Sequence, residues 1–170
     1  MKNAINFLQG QLQGAHDLLA GTLADLTPEQ AHHFVGGNSV PIVAHVGHVV
    51  VFEDMIINGL LKGGSPLFAS TGTGLSELPP QQPPWADWGR RVKVDMALSM
   101  AYAQQVFAAS NAYIATLEDS ALAQPLDLTR LGLGNQTVGF MLGALVLNAH
   151  VHTGEISCLK GLQGLKGYPI

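Results

Sequence analysis

The sequence predicts an all-α protein, a four-helix bundle. Three observations support this: four long segments repeat apolar residues every three or four positions, the strand signal is confined at most to "PLDLT", and two extended connections separate the segments. Spacing of three and four places one side of a helix in a core, whereas a half-buried strand alternates with a period of two. Because a long connection can return the chain to its starting end, some neighbouring helices are expected to run parallel.

The first helix is predicted to begin after Asn3, a candidate N-cap, and to run through "AINFLQGQLQGAHDLLAGTLADL". Its apolar stripe includes His16, which we interpret as a hydrogen-bonded core histidine. In "TPEQAHH", Thr27 is a candidate N-cap and Pro28 occupies the first helical position, which predicts a short helical turn. His32 and His33, at the end of this turn, are expected to be solvated.

Three further helices follow. Asn38 or Ser39 is expected to cap the second, which runs through "IVAHVGHVVVFEDMIINGLL" until "KGGS" ends it. Residues 63–84 are rich in Gly, Pro, Ser and Thr and predict a long connection, which often covers a site. The third helix is predicted from Trp85 to about residue 119. After an irregular stretch, Thr137 is expected to cap a fourth helix that ends near Leu162.

Composition favours one soluble domain spanning residues 1–170, with 47% hydrophobic residues. Eight Lys or Arg against twelve Asp or Glu leave no basic stripe, so nucleic-acid binding is not expected. The apolar windows are interrupted by polar groups before they reach the length of a membrane span. A single cysteine, Cys158, and the lack of a signal-peptide pattern favour the cytoplasm. Cys158 itself is expected to be a small buried residue.

Polar side chains interrupt the buried faces of the second and fourth helices. At about 100° per residue, Asn148, His152 and Glu155 share one face of the fourth helix, whereas His150 points to the other side. His45 and His48 are three residues apart in an otherwise apolar helix. Histidines and carboxylates facing each other across a bundle can form a metal site, so we expect His48 and His152 to be ligands. The third ligand is Asn148, Glu155 or His45.

Arg90, Arg91 and Lys93 form a small basic cluster at the start of the third helix. Such a cluster could meet an anionic substrate, but it is more often a solvated helix face. Neither a phosphate-binding loop nor a catalytic Ser-His-Asp signature is present in the sequence.

Over almost its full length, the chain resembles the DinB-like superfamily, also called YfiT-like metalloenzymes. The resemblance rests on "LADLTPEQAHHFVGGNSVPIVAHVGHVVVFED" and, more specifically, on "NAHVHTGEISCLKGLQGLKGYP". It implies an up-down-down-up four-helix bundle, frequently a homodimer, with zinc or nickel held by three histidines between helices two and four. Some relatives are transferases or isomerases that use a low-molecular-weight thiol as cosubstrate.

Two of the family's three metal-binding histidines fall on His48 and His152. The remaining position is Asn148, and an amide oxygen is a weaker ligand for zinc or nickel than imidazole. Either Glu155 or His45 compensates, or the site has become a polar pocket. The first functional hypothesis is therefore a metal-dependent enzyme of the thiol-dependent S-transferase or hydrolase type. The alternative is a non-catalytic, dimeric bundle with a degenerate metal site that binds a small apolar ligand or a protein.

Overall fold

The computed structural model describes residues 2–80 and 85–169 and is mostly helical. The described residues contain four long helices and two short ones. The long helices are α1 (Asn3–Leu23), α3 (Ile42–Asp54), α5 (Met96–Thr116) and α6 (Val138–Leu162), and the short ones are α2 (Pro28–His32) and α4 (Trp85–Arg91). Helix α3 continues without interruption into a π-helical segment, Met55–Leu61. The last four residues of the predicted 63–84 connection lie outside the described residues.

The core lies between the four long helices. Helix α6 packs against α1 and α3, and α5 packs against the same two helices. Apolar side chains from α1, α3, α5 and α6 fill the interior, among them Ile5, Leu12, Leu19, Val46, Val49, Val106, Met141, Leu145 and Ile156, each at most 1% exposed. Because α3 and α6 are in direct contact, polar residues on their facing sides are brought together.

Side-chain caps explain where several helices begin. Thr27 and Gln30 form a reciprocal capping box at α2, and Thr137 Oγ1 accepts from the backbone N–H of Phe140 at α6, as predicted. The N-caps predicted for α1 and α3 are wrong. Residue Asn3 is already helical, and the Asp119 carboxylate, from across the fold, accepts from the N–H groups of Asn3 and Ile5. The N-cap of α3 is Pro41.

The predicted third helix is interrupted, contrary to the expectation of one continuous helix from Trp85. Helix α4 ends at Arg91, and α5 begins at Met96 after Asp95 caps it. Between them the backbone pairs with the long connection: Ser76 N–H donates to Lys93 O and Asp95 N–H to Gly74 O. Helical periodicity continues through this stretch, but backbone pairing with a distant segment replaces the local helical hydrogen bonds.

A two-stranded antiparallel sheet precedes α6. Strand β1 (Pro125–Leu128) lies in the "PLDLT" segment, and its partner β2 (Gly134–Thr137) was not predicted. The β2 sequence, "GNQT", lacks the apolar alternation that marks a strand. A 3₁₀ turn, Thr129–Leu131, and the left-handed Gly132 connect the two strands.

Buried polar groups tie the helices together. His16 on α1 lies 2.9 Å from Glu53 on α3, with both side chains 2% exposed, and its ring stacks on Phe107. Asp54 is fully buried and accepts a hydrogen bond from the Tyr102 hydroxyl at 2.6 Å. The Lys160 ammonium is buried and donates to Thr22 O. These contacts partner polar groups that would be costly to bury alone.

One helix in the described part of the chain, Ile42–Leu61, is long and apolar enough to cross a membrane by length and composition. This differs from the expectation that polar groups interrupt every apolar window too early. Within this segment, 72% of the residues in the apolar window are buried inside the protein, as in the core helix of a globular fold. Length and composition are therefore weak evidence for a span.

Candidate metal centre

Five polar side chains meet where α3 crosses α6. Helix α3 provides His45 and His48, one turn apart, and α6 provides Asn148, His152 and Glu155. Val46 and Val49 of α3 belong to one buried apolar cluster with Ala149 and Ile156 of α6, and this packing fixes the polar groups next to them. The structure thus brings together all five residues that the sequence proposed as ligands or neighbours of ligands.

Three of these side chains form a compact triangle of donor atoms. His152 Nδ1 lies 2.5 Å from Glu155 Oε2 and 3.2 Å from His45 Nδ1, and His45 Nδ1 lies 3.1 Å from Glu155 Oε2. Two imidazole nitrogens and a carboxylate oxygen are the donor types that zinc and similar divalent ions use in proteins. In the described part of the chain, this is the one group of three or more His, Cys, Asp or Glu side chains whose donor atoms lie close enough together to hold an ion.

The other two residues pair beside this triangle. His48 Nε2 lies 3.3 Å from Asn148 Oδ1, and the His48 ring meets the His152 ring edge-on with centroids 4.7 Å apart. An amide oxygen can only accept, so His48 carries its proton on Nε2 and donates it to Asn148. Its other nitrogen, Nδ1, is then unprotonated and has no hydrogen-bond partner among residues 2–80 and 85–169.

Burial keeps the histidines of α3 neutral. Burial, together with the proximity of His152, lowers the pKa of His48 to about 3. Burial also lowers the pKa of His45, although the Glu155 carboxylate opposes this shift. Neutral imidazole is the form that binds a metal ion, so both rings are ready to act as ligands without first losing a proton to water.

The triangle is accessible to solvent from one side. Side-chain exposure increases from 12% at His45 through 21% at His152 to 48% at Glu155. A small cavity of about 160 Å³ opens onto it, lined by Val40, Ala44, His45, His48, Trp85, Trp88, His152 and Glu155. A metal ion could therefore reach the donor atoms without unfolding of the helices.

Trp85 is the neighbour that sequence analysis missed. Its indole meets the His48 ring edge-on with centroids 3.9 Å apart, and it lines the cavities on that side of the fold. The position of Trp85 at the start of α4, directly after a proline-rich connection, was visible in the sequence. Only the packing of α4 on α3 brings the indole to the histidines.

The remaining candidate residues contribute no donor atom to the triangle. His150 is exposed, and its Nδ1 contacts Val146 O one turn earlier. His32 is not simply solvated, because its ring accepts from the N–H of Val94 and its Nδ1 contacts Pro28 O. Cys158 is exposed, so the expectation of a buried thiol is wrong. It lines an open cavity of about 450 Å³ together with His45 of α3 and Trp85 of α4.

The basic cluster is engaged in surface contacts. The Arg91 guanidinium forms a bidentate pair with Glu77 at 2.8 and 2.9 Å, and this carboxylate raises the pKa of Arg91. Arg90 donates to Gly37 O and lies over the Phe34 ring. Both arginines therefore hold the connections before α3 and α4 in place.

Fold and site together define a helical protein with a histidine- and carboxylate-rich cluster between two core helices. The family model of the DinB superfamily matches residues 11–156, and the chain belongs to this superfamily. The chain is also similar in structure to a conserved protein from Enterococcus faecalis, with a TM-score of 0.78 and 19% sequence identity over 95% of this chain and 97% of that one. No curated protein matches the chain.

Proposed function

We propose that this protein binds a divalent metal ion, zinc or nickel, between α3 and α6. We further propose that it is a metal-dependent enzyme of the thiol-dependent S-transferase or hydrolase type. The observation that carries the proposal is the triangle of His45 Nδ1, His152 Nδ1 and Glu155 Oε2, whose sides are 2.5–3.2 Å. Such an ion acts as a Lewis acid and lowers the pKa of a bound water or thiol.

Two sets of donors share His152. The first set consists of His152, His45 and Glu155. The second set consists of His152, His48 and Asn148, which are the positions that the family uses. We propose the first set as the ligands, because it pairs two imidazoles with a carboxylate, whereas the second contains a weakly donating amide. In this arrangement Asn148 Oδ1 accepts a hydrogen bond from the Nε2–H group of His48, and this bond orients the His48 ring. His48 then lies beside the ion with an unprotonated Nδ1 that can accept a hydrogen bond from a bound molecule.

The test is a zinc titration of metal-free, tag-free protein. Wild-type protein should bind one equivalent, and His152→Ala should abolish binding, because both donor sets require this residue. His150→Ala is the matched control, since His150 lies on the same helix, is exposed and lies outside the cluster. Failure of the wild type to bind zinc or nickel would contradict the proposal.

Single substitutions separate the two donor sets. With His45, His152 and Glu155 as ligands, His45→Ala should weaken zinc binding by about tenfold or more, and His48→Ala should change it less. The opposite order would assign the ion to His48, Asn148 and His152. Both variants leave the opposite side of α3 intact, and circular dichroism at the same temperature verifies that the helices persist.

A non-catalytic bundle is the second candidate, and Asn148 favours it. With an amide in place of the family's histidine, the cluster is a polar pocket and the protein is a binding module for a small apolar ligand or a protein. A low-molecular-weight thiol that is consumed together with an electrophile, in a reaction lost in His152→Ala, would exclude this candidate.

We infer an up-down-down-up arrangement of α1, α3, α5 and α6. Contacts between sequence-distant residues support it. Lys2 reaches Ala115 O and Gln13 bonds Asn111, as in antiparallel α1 and α5. The His45–His152 and His48–Asn148 pairs fit antiparallel α3 and α6. Asp54–Tyr102 and Leu61–Tyr113 fit parallel α3 and α5.

We also propose that the protein is a cytoplasmic homodimer. Large exposed apolar side chains on α1 and α6 support self-association: Phe7, Phe140, Leu147, Val151 and Leu162 are 44–68% exposed. Light scattering coupled to size-exclusion chromatography tests it, because Leu147→Lys should produce a monomer if this surface is the interface. A wild-type monomer would contradict the homodimer.

A further inference from the structure

A larger, mostly apolar cavity adjoins His48. Its volume is about 350 Å³, and its walls come from segments far apart in the sequence: the end of α3 with the π-helical segment, the prolines before residue 81, Trp85, and the sheet with its 3₁₀ turn. Met55, Ile56 and Leu60 line it from the π-helical segment. Convergence of several segments around one space is typical of ligand sites, as is a π-helical turn.

The walls leave apolar surface in contact with water. Leu60 and Leu131 both line the cavity and are 36% and 43% exposed, whereas Leu128, which also lines it, is 1% exposed. Covering such side chains is favourable because it removes apolar area from water. The cavity volume corresponds to roughly a dozen water-sized groups at about 30 Å³ each. A compact organic molecule of about that many non-hydrogen atoms would therefore fit.

The lining also limits the charge and shape of the ligand. His48 and Asp127 are the ionisable residues among the described lining residues, and no lysine or arginine is among them to pair with an anionic ligand. The Trp85 ring meets His48 edge-on, and Phe52 stacks near the same imidazole at 5.9 Å between centroids. Aromatic rings around an apolar space favour a flat, unsaturated ligand.

We propose that this cavity binds an uncharged, predominantly apolar molecule with an aromatic ring, whose polar end lies at His48. His48 and Trp85 also line the smaller cavity that holds His45, His152 and Glu155. The ligand therefore lies next to the metal centre, and its role as substrate rests on the proposed function. Binding of the ligand does not depend on the proposed function, because neither His152 nor Glu155 lines this cavity.

The experiment is isothermal titration calorimetry with 2-naphthol and with 2-naphthoate, on both metal-free and zinc-loaded protein. We expect 2-naphthol to bind one to one and at least tenfold more tightly than 2-naphthoate, which has a similar size but carries a charge. Absence of 2-naphthol binding, or equal affinity for the two compounds, would overturn the proposal.

Leu131→Trp should fill the cavity and weaken 2-naphthol binding at least tenfold. Leu98→Trp is the matched control, because Leu98 is 55% exposed on α5 and lies outside the cavity, and the affinity of this variant should equal that of the wild type. If Leu131→Trp does not fold, Leu60→Trp replaces it on the opposite wall with the same expectation. Unchanged affinity in the cavity variant, or equal loss in both variants, would place the ligand elsewhere.

The two proposals fail in different ways. If 2-naphthol binds but neither zinc nor nickel does, the metal centre is wrong and the apolar site remains. If metal binds but 2-naphthol does not, the metal centre remains and the apolar site is wrong.

Discussion

His45 and His152, which are 107 residues apart in the sequence, place their Nδ1 atoms 3.2 Å from each other. One of these two nitrogens can donate only if the other accepts with its lone pair. Glu155 Oε2 lies within 3.1 Å of both nitrogens and can accept from either of them. A divalent ion held by the lone pairs of both Nδ1 atoms and of this carboxylate would satisfy all three atoms at once.

Glu155→Gln should weaken zinc binding by about tenfold or more, because an amide replaces the carboxylate of the triangle. Competition against a chromophoric chelator measures the affinity. Glu29→Gln serves as the control, since Glu29 is exposed on α2 and distant in sequence from both helices of the site. An unchanged affinity in Glu155→Gln would remove this residue from the ligand set.

Asn148→His should strengthen zinc binding by about tenfold or more, which is about 1.4 kcal/mol or more. The new imidazole would face His48 and complete a set of three histidines with His152. Leu147→His, one position away and exposed, controls for the added histidine. Tight binding that appears only in Asn148→His, with none in the wild type, would favour the degenerate-site alternative.

Tyr102→Phe should lower the free energy of unfolding by about 1.5–3 kcal/mol, because the Tyr102 hydroxyl donates to the buried Asp54 carboxylate. Tyr113→Phe is the matched control and should cost less, since Tyr113 donates to a neutral carbonyl, Leu61 O, at 3.2 Å. Urea denaturation at pH 7 measures both values. Equal losses of unfolding free energy in the two variants would show that the carboxylate acceptor contributes no more than the neutral carbonyl.

The same contact predicts a pH dependence. Burial raises the pKa of Tyr102, with Asp54 adding to the shift. The folded protein therefore keeps a proton that the unfolded chain loses above its ordinary pKa of about 10. Stability from this group is complete below pH 10 and falls as the pH rises further. The difference between wild type and Tyr102→Phe should thus shrink above pH 10; a constant difference would contradict the shift.

Gly74→Ala should destabilise the protein more than Gly132→Ala does, although the two glycines have nearly equal φ angles of 75° and 74°. A Cβ at Gly132 meets nothing within 4 Å, so only left-handed strain of about 1–2 kcal/mol applies there. A Cβ at Gly74 would lie 2.6 Å from Asp95 O and forces the connection away from α5. Thermal unfolding compares the stability of the two variants. Equal losses of stability would mean that the connection moves away from α5 without an energetic cost.

Helical periodicity was sufficient to predict the helical class and the inward-facing histidines of α3 and α6, and the candidate N-cap Thr137 predicted where α6 begins. Those features depend on neighbouring residues, because helical geometry alone decides which side chains share a face. The break before α5 could not be predicted in this way, since apolar spacing continues through residues 92–95. There the backbone of the long connection competes for the same hydrogen bonds.

The sequence by itself therefore determined the donors available to this protein: two histidines on α3, and an asparagine, a histidine and a glutamate on one face of α6. Only the tertiary structure decided how they pair. Packing of α3 on α6 puts Asn148 against His48 and brings His45 to His152 and Glu155. The physical reason is that helical spacing sets directions within one helix, whereas the relative shift and rotation of two helices depend on side chains packed along their whole interface.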